Sequence, residues 1–431
     1  MNPKKVVRKV VPKAAVKAIE NSYRKGRGLA WQTRYGFPAK SLKMIAITGT
    51  NGKTTTASYV NSVLQAAELK TAVYTTAYYE IDGELTPNNT HMTVASQKSV
   101  QEFFAKAKKV GVDWVILEVT SNALHQGRIA GLKPEIGIVT NLTQDHLDYH
   151  GTMEEYAKAK VSLFTKYGAK MAILNQDDKW HGFFSDNIYQ KQISFGQDDD
   201  AKLKLKNVQL TSSGSNFEVV IGAKRLKMFT QLLGKFNIYN ALCAVAVGLE
   251  LDIDPEKIKK GIADLKSVPG RMEEIDEGQN FTVLVDFAIT PDALENALTT
   301  LRPMTKGKLA VVFGATGDRD ASKRPIMGEV VAENADRIYL TDDETYTEDP
   351  KSIRDAVYAG IASKNARSQT QVFDDRLEAI KQAFADAKRG DTVLLTGIGH
   401  ENYRNMGGKK LPWDEREVAR KALKKLATKN L

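Results

Sequence analysis

The chain has 431 residues, room for two or three domains of about 100–200 residues. Its 42% hydrophobic and 26% charged content fits a soluble globular protein, a lone cysteine (Cys243) excludes both a disulfide framework and a cysteine-based zinc site, and no apolar run approaches the ~20 residues that span a bilayer. The net charge of +10 would point to a polyanion, but residues 1–43 hold twelve Lys/Arg against one acid, Glu20, so the excess sits in a tail and no nucleic-acid partner is expected of the body.

In chain order, residues 12–24 read as a basic amphipathic helix, with Ala14, Ala15, Ala18 and Ile19 able to share one face. No secretory signal precedes it, so a cytoplasmic location is expected. Segment 1–42 either packs on the body or makes peripheral contact with an anionic membrane surface. From Lys43 the pattern becomes α/β: strands at 44–47, 114–118, 136–140 and 171–174, helices at 54–67, 100–109 and 153–167. Residues 207–227 read as β-hairpin material, and 236–251 and 255–265 as helices. Val268-Pro269-Gly270-Arg271 marks a joint. A second α/β run follows, with strands at 283–287, 309–313, 337–340 and 392–395. The expected organisation is a tail (1–42), a central nucleotide-binding domain with a mainly parallel sheet (43–267) and a C-terminal α/β domain (268–431).

The strongest local signal is strand, glycine loop, helix: Gly49-Thr50-Asn51-Gly52-Lys53-Thr54-Thr55 after Ile45-Ala46-Ile47. Gly49 and Gly52 allow backbone N–H groups to turn around phosphate oxygens at a helix N-terminus. Lys53 would neutralise phosphate, and the Thr54 hydroxyl can ligate Mg²⁺. Ile47 stands where the strict phosphate-loop pattern has its first glycine. Such a loop alone leaves motor, switch, kinase and ligase open. Glu118, ending a buried strand, can hold Mg²⁺ directly or through water. Asn141 ends the next strand and leads to His146 and His150, which with Glu118 would border the crevice at the strand ends.

These residues, with segments 234–240, 268–273, 285–292, 314–328, 397–403 and 414–420, resemble the Mur ligase family, and within it the MurE type, over roughly residues 43–426. The resemblance implies a central P-loop ATPase domain followed by a Rossmann-like C-terminal ligase domain. It implies ADP-forming amide ligation through an acyl phosphate, with ATP and two Mg²⁺ ions. Thr54 and Glu118 would hold one ion; His146 and a carbamylated Lys160 would hold the other. Lys53, Glu118, His146 and Lys160 form the implied catalytic set. Asn237 and Asn240 match the adenine side, and Arg271 and Asp286 reach the nucleotide from the C-terminal domain. Thr93, Ser121, Gln126 and Arg128 fall where the acceptor lies. Asp343, Glu344, Tyr346, Gly397, His400 and Glu401 fall where the amino acid lies. The partners implied are a small amino acid and an anionic carboxylate acceptor, for a monomer or weak dimer.

Several positions depart from the family pattern. Only 42 residues precede the core, where MurE-type ligases carry a domain for the uridine nucleotide, which raises a lipid-linked acceptor beside a UDP-linked one. Asp343-Glu344-Thr345-Tyr346 replaces the Asp-Asn-Pro-Arg of diaminopimelate-adding members, so an amine with a cationic far end is expected to suit better. Ile289 and Ile398 stand for a usual His and Lys, Asn122 for a His, and Val94-Ala95 for Thr-Pro. A ligase for another polymer (cyanophycin- or polyglutamate-like) and an ATP-binding scaffold without turnover are the competing readings.

Overall fold

The computed structural model describes residues 26–429; the expected helix at 12–24 lies outside them. The first unit is built on an eleven-stranded sheet: β1 (Lys43–Thr48), β2 (Thr71–Tyr74), β3 (Tyr78–Ile81), β4 (Glu84–Pro87), β5 (Trp114–Glu118), β6 (Ile136–Val139), β7 (Met171–Asn175), β8 (Lys191–Gly196), β9 (Leu203–Thr211), β10 (Gly214–Ile221) and β11 (Lys224–Thr230), in the order 11-10-9-8-7-6-1-5-2-3-4. Strands β2, β5, β1, β6, β7, β8 and β9 run parallel, and both margins turn antiparallel. The central strands are covered on both faces, which is why β1 and β5 are unbroken apolar runs and do not alternate. Helices Lys53–Ala66, Lys235–Glu250 and Pro255–Asp264 cover one face; Gln97–Val110 and Met153–Thr165 cover the other.

Segment 203–230 forms three antiparallel strands, one more than the expected hairpin, because the apolar alternation continues from Leu203 and Leu205 into β9. Residues 26–34 are helical and dock on the body: Gln32 Nε2 donates to the Ala130 carbonyl at 2.8 Å, and Gly28 lies against Gln97. No helix among the described residues is long and apolar enough to cross a membrane.

The second unit holds β12 (Glu273–Glu274), β13 (Thr282–Asp286), β14 (Leu309–Phe313), β15 (Arg337–Leu340), β16 (Thr370–Val372) and β17 (Thr392–Thr396), ordered 12-13-17-14-15-16 and parallel except for β12. A small ribbon, β18 (Tyr403–Met406) and β19 (Lys409–Pro412), follows. The joint at Val268–Arg271 is a tight turn closed by a bridge between its ends. Gly270 has φ 63°, and a Cβ there would run into the backbone of His400; the turn is thereby seated on the second unit.

Candidate active site

Strands β1 and β6 are neighbours, but the chain leaves their C-terminal ends toward opposite margins of the sheet. That places a switch-point crevice between them. The loops after the two strands are clamped together. Thr50 N donates to Asn141 O at 3.0 Å, Asn51 N to Asn141 Oδ1 at 2.9 Å, and Thr140 Oγ1 to Asn51 O at 2.7 Å. Gly52, with φ 82°, caps the helix Lys53–Ala66 in a left-handed conformation. A Cβ on Gly49 would strike the Thr140 hydroxyl, and one on Gly52 the Asn240 carboxamide. The cradle is open only because both residues lack one. Lys53 Nζ lies in it, donating to Gly49 O at 3.1 Å and Thr50 O at 2.7 Å. Burial pushes its ammonium pKa down, with Arg271 adding to that effect and Glu118 opposing it.

Glu118 is held from three sides. Thr54 Oγ1 donates to Oε2 at 2.8 Å, Thr76 N to Oε2 at 2.9 Å and Thr76 Oγ1 to Oε1 at 3.0 Å. Arg271 crosses from the second unit, its Nη2 donating to Thr54 Oγ1 at 3.4 Å with its guanidinium 4.7 Å from the Phe287 ring centroid. Asp286 accepts from Met272 N at 2.8 Å; burial lifts its pKa to about 6 against the pull of Arg271.

On the other side of the cradle, His146 has φ 54° and its Nε2 lies 3.4 Å from Asp145 Oδ2. Asp145 pairs with Lys323 of the second unit at 3.1 Å. Burial alone would raise Asp145; Lys323 and His146 outweigh it and hold the carboxyl down at about 2. Lys160 is 0% exposed, and its Nζ finds no hydrogen-bond partner among the described residues. It lies 4.3 Å from the Tyr156 ring centroid, and burial together with the charge on Lys53 pushes its pKa far down. Burial without a partner and a lowered pKa favour the neutral amine, the form that can react with CO₂.

Asn240 accepts from Thr56 Oγ1 at 3.2 Å and donates to Asn237 Oδ1 at 3.0 Å, so both stand on the helix packed against the one that carries Lys53. A cleft of about 1080 Å³ joins these groups, Lys160 and Thr56 apart, to Thr93, Ser121, Arg128, Asp343, Glu344, Tyr346, Gly397 and Glu401. Four of the residues expected from sequence are not in its wall: Lys160 lies behind it, Gln126 braces Arg128 through Nε at 2.9 Å, His150 is turned to the Ser121 hydroxyl at 2.9 Å, and His400 is buried under Phe287. Of the departures, Asn122, Val94 and Ile289 line the cleft, while Ile398 is fully buried outside it.

Sequence reasoning passed over Thr76, His91, Asp145, Asp292, Arg319 and Lys323, which also line the cleft. Asn51 Nδ2 donates to Asp292 Oδ2 at 2.6 Å, a second bond between the units beside Lys323–Asp145. His91 Nδ1 lies 3.2 Å from Glu401 Oε2, and its ring stacks on Tyr403 at 3.5 Å. Only Asp145 carried a signal, standing next to His146 at a strand exit; the others depend on contacts across long sequence separations.

A phosphate cradle, a carboxylate–hydroxyl pair for a cation and a second α/β unit that supplies an arginine across the cleft define an ATP-using ligase that works between two units. The sequence comparisons agree. Residues 47–248 match the Mur ligase middle domain, and residues 270–399 match the Mur ligase, glutamate ligase domain. The chain is 40% identical over 397 residues to the UDP-N-acetylmuramoyl-L-alanyl-D-glutamate–2,6-diaminopimelate ligase of Geobacillus kaustophilus, covering 90% of this chain and 80% of that one. It is 41% identical over 401 residues to the enzyme of the same name from Bacillus licheniformis, covering 91% and 80%. A solved structure of a ligase of that name superposes with a TM-score of 0.62 at 31% identity, covering 94% of this chain and 83% of that one. Mycobacterium tuberculosis folylpolyglutamate synthase shares the fold, with a TM-score of 0.71 at 19% identity over 93% and 95% of the two chains.

The chain belongs to the Mur ligase family and is MurE-like within it, an ATP-dependent ligase that forms C–N bonds in peptidoglycan precursor synthesis.

Proposed function

We propose that the chain joins the amine of an amino acid to the terminal carboxylate of a UDP-N-acetylmuramoyl-L-alanyl-D-glutamate acceptor, as the names of its relatives describe for those enzymes. The observation that supports this best is the pairing of the Gly49–Thr55 cradle with the buried, partnerless amine of Lys160 behind His146. The residues fit two Mg²⁺ ions, Thr54 and Glu118 for one, His146 and carbamylated Lys160 for the other; when bound, the ions neutralise the phosphates. Gly49, Thr50, Asn51, Gly52, Thr55 and Asn141 form the phosphate bed, and Asn237 and Asn240 stand on the base side.

The acceptor carboxylate oxygen attacks the γ-phosphorus of ATP, the bond to the bridging oxygen breaks, and ADP leaves. The amine then attacks the acyl carbon, phosphate departs and the ammonium proton is lost. Lys53 and Arg271 meet the charge that accumulates on the transferring phosphoryl group. Ser121 and Arg128 with Thr93 position the acceptor, and Asp343, Glu344, Tyr346 and Glu401 form the amino-acid end. Residues from both units are needed, so closure assembles the site. The test is release of ADP that depends on both acceptor and amino acid, with the amide product identified by mass. ATP turnover indifferent to added amino acid would remove the reading. Residues 26–34 of the basic segment 1–42 dock on the body, so its contact with an anionic membrane surface is proposed on the segment's charge alone; equal flotation with anionic liposomes of chains with and without it would withdraw that proposal.

A further inference from the structure

Three carboxylates crowd one end of the cleft. Asp343, Glu344 and Glu401 are 2%, 6% and 7% exposed. Asp343 Oδ2 accepts from Thr316 Oγ1 at 3.2 Å, while its buried Oδ1 has no hydrogen-bond partner among the described residues. The nearby guanidinium groups are committed elsewhere. Arg376 pairs with Glu415 at 2.6 Å, and Arg404 donates to the carbonyls of Asp342 and Asp343 at 2.8 and 2.7 Å. Arg319 remains at the mouth, 4.7 Å from the Tyr346 ring centroid and donating to its hydroxyl at 3.3 Å. Arg271 also faces Glu401, but its guanidinium is turned to Thr54 Oγ1 and the Phe287 carbonyl on the nucleotide side, which leaves Arg319 as the guanidinium open to a guest beside the three acids. The subsite matches a guest with one carboxylate and a cationic far end. A second carboxylate would be driven against buried acids with no free guanidinium to receive it.

His91 closes this end from the first unit. It stacks flat on Tyr403, with ring planes 6° apart, and its Nδ1 lies 3.2 Å from Glu401 Oε2 and 3.9 Å from Glu344 Oε1. Beside it, Asn402 Nδ2 donates to Asn89 Oδ1 at 2.7 Å, a further bond between the units. Burial holds the imidazole pKa down at about 4, so at neutral pH an uncharged ring lies against the two glutamates.

Resting on the ligase reading above, we propose that this subsite selects a diamino monocarboxylic acid of the lysine or ornithine class over 2,6-diaminopimelate, and that His91 is a positioning residue for that choice.

The test uses the full chain with ATP, Mg²⁺ and UDP-N-acetylmuramoyl-L-alanyl-D-glutamate, and reads ADP release with L-lysine, L-ornithine, meso-2,6-diaminopimelate or L-norleucine. Lysine or ornithine is expected to exceed both other amino acids by at least about tenfold in kcat/KM, the size of one lost charge contact. Glu344→Gln should shrink the advantage over norleucine about tenfold. His91→Phe keeps the stack on Tyr403 and should raise the KM for lysine more than it lowers kcat. Diaminopimelate matching lysine, norleucine matching lysine, or Glu344→Gln leaving the advantage intact would each overturn the inference. No release with any of the four would instead overturn the ligase reading on which it stands.

Discussion

Replacing Lys323 with Met leaves the Asp145 carboxylate buried and without its partner in the second unit. At the 3.1 Å separation of the pair, an effective dielectric of about 20 gives an attraction of roughly 5 kcal/mol, which omits the cost of desolvating both ions. Proton linkage includes that cost. Asp145 is held at about 2 against its ordinary 3.8, and at ~1.36 kcal/mol per pKa unit this corresponds to about 2.5 kcal/mol. The second figure is the better guide; because His146 supplies part of it, a loss of about 2 kcal/mol is expected for Lys323→Met. A depressed carboxylate stabilises the fold above its ordinary pKa, and that contribution disappears as pH falls through about 2. In Lys323→Met burial dominates and lifts the pKa, so acid destabilisation should begin at higher pH than in the wild type. Urea midpoints between pH 7 and pH 3 read both effects. The double variant Lys323→Met/Asp145→Asn removes both charges and should recover much of the single-variant loss. A single-variant loss below about 0.5 kcal/mol, or additive single and double losses, would refute the argument.

Lys160→Ala should abolish ADP release while nucleotide binding persists, with partial recovery in millimolar formate or acetate; unimpaired turnover would dismiss the carbamate. Gly52→Ala introduces a Cβ into the Asn240 carboxamide at φ 82° and should cost at least about 1 kcal/mol in stability as well as nucleotide affinity, read by thermal unfolding with and without ADP. Asn51→Ala removes the bond to Asp292 and should weaken closure by about 1–2 kcal/mol, seen as a rise of roughly tenfold in the KM for ATP. Burial and neighbouring acids lift Glu344 to about 7 and Glu401 well above the usual carboxylate range. Their ionised fraction therefore grows as pH rises through neutrality, and the KM for a cationic amino acid should fall from pH 6 to pH 8; a flat profile would count against the acidic subsite.

The phosphate loop was legible because its chemistry is local: glycines, lysine and threonines stand in one turn after a strand. The central strands were legible because burial on both faces leaves unbroken apolar runs such as 114–117. Lys160 was not legible from its own surroundings. As a lysine within the helix Met153–Thr165 it reads as exposed, and only the family resemblance placed it inside, where the structure finds it fully buried. His91 and Lys323 were invisible for a different reason. Their partners lie far along the chain, at Glu401 and Asp145, and no periodicity encodes a contact between two separately folded sheets. The extra strand at 203–211 was missed because the alternation begun by Leu203 and Leu205 breaks at Asn207, where φ is 51° and the pairing with the next strand shifts register.

The packing of helix Lys235–Glu250 against helix Lys53–Ala66 acts as a caliper. One jaw carries Asn237 and Asn240, the other Lys53 and Thr54, and the two helices share a buried core that includes the small residues Ala57, Ala241 and Ala244. On the ligase reading proposed above, the positions of the two ends of a bound nucleotide then depend on alanines outside the cleft wall. Enlarging one of them should displace Asn237 and Asn240 relative to Lys53 and lower nucleotide affinity without altering any residue in the cleft.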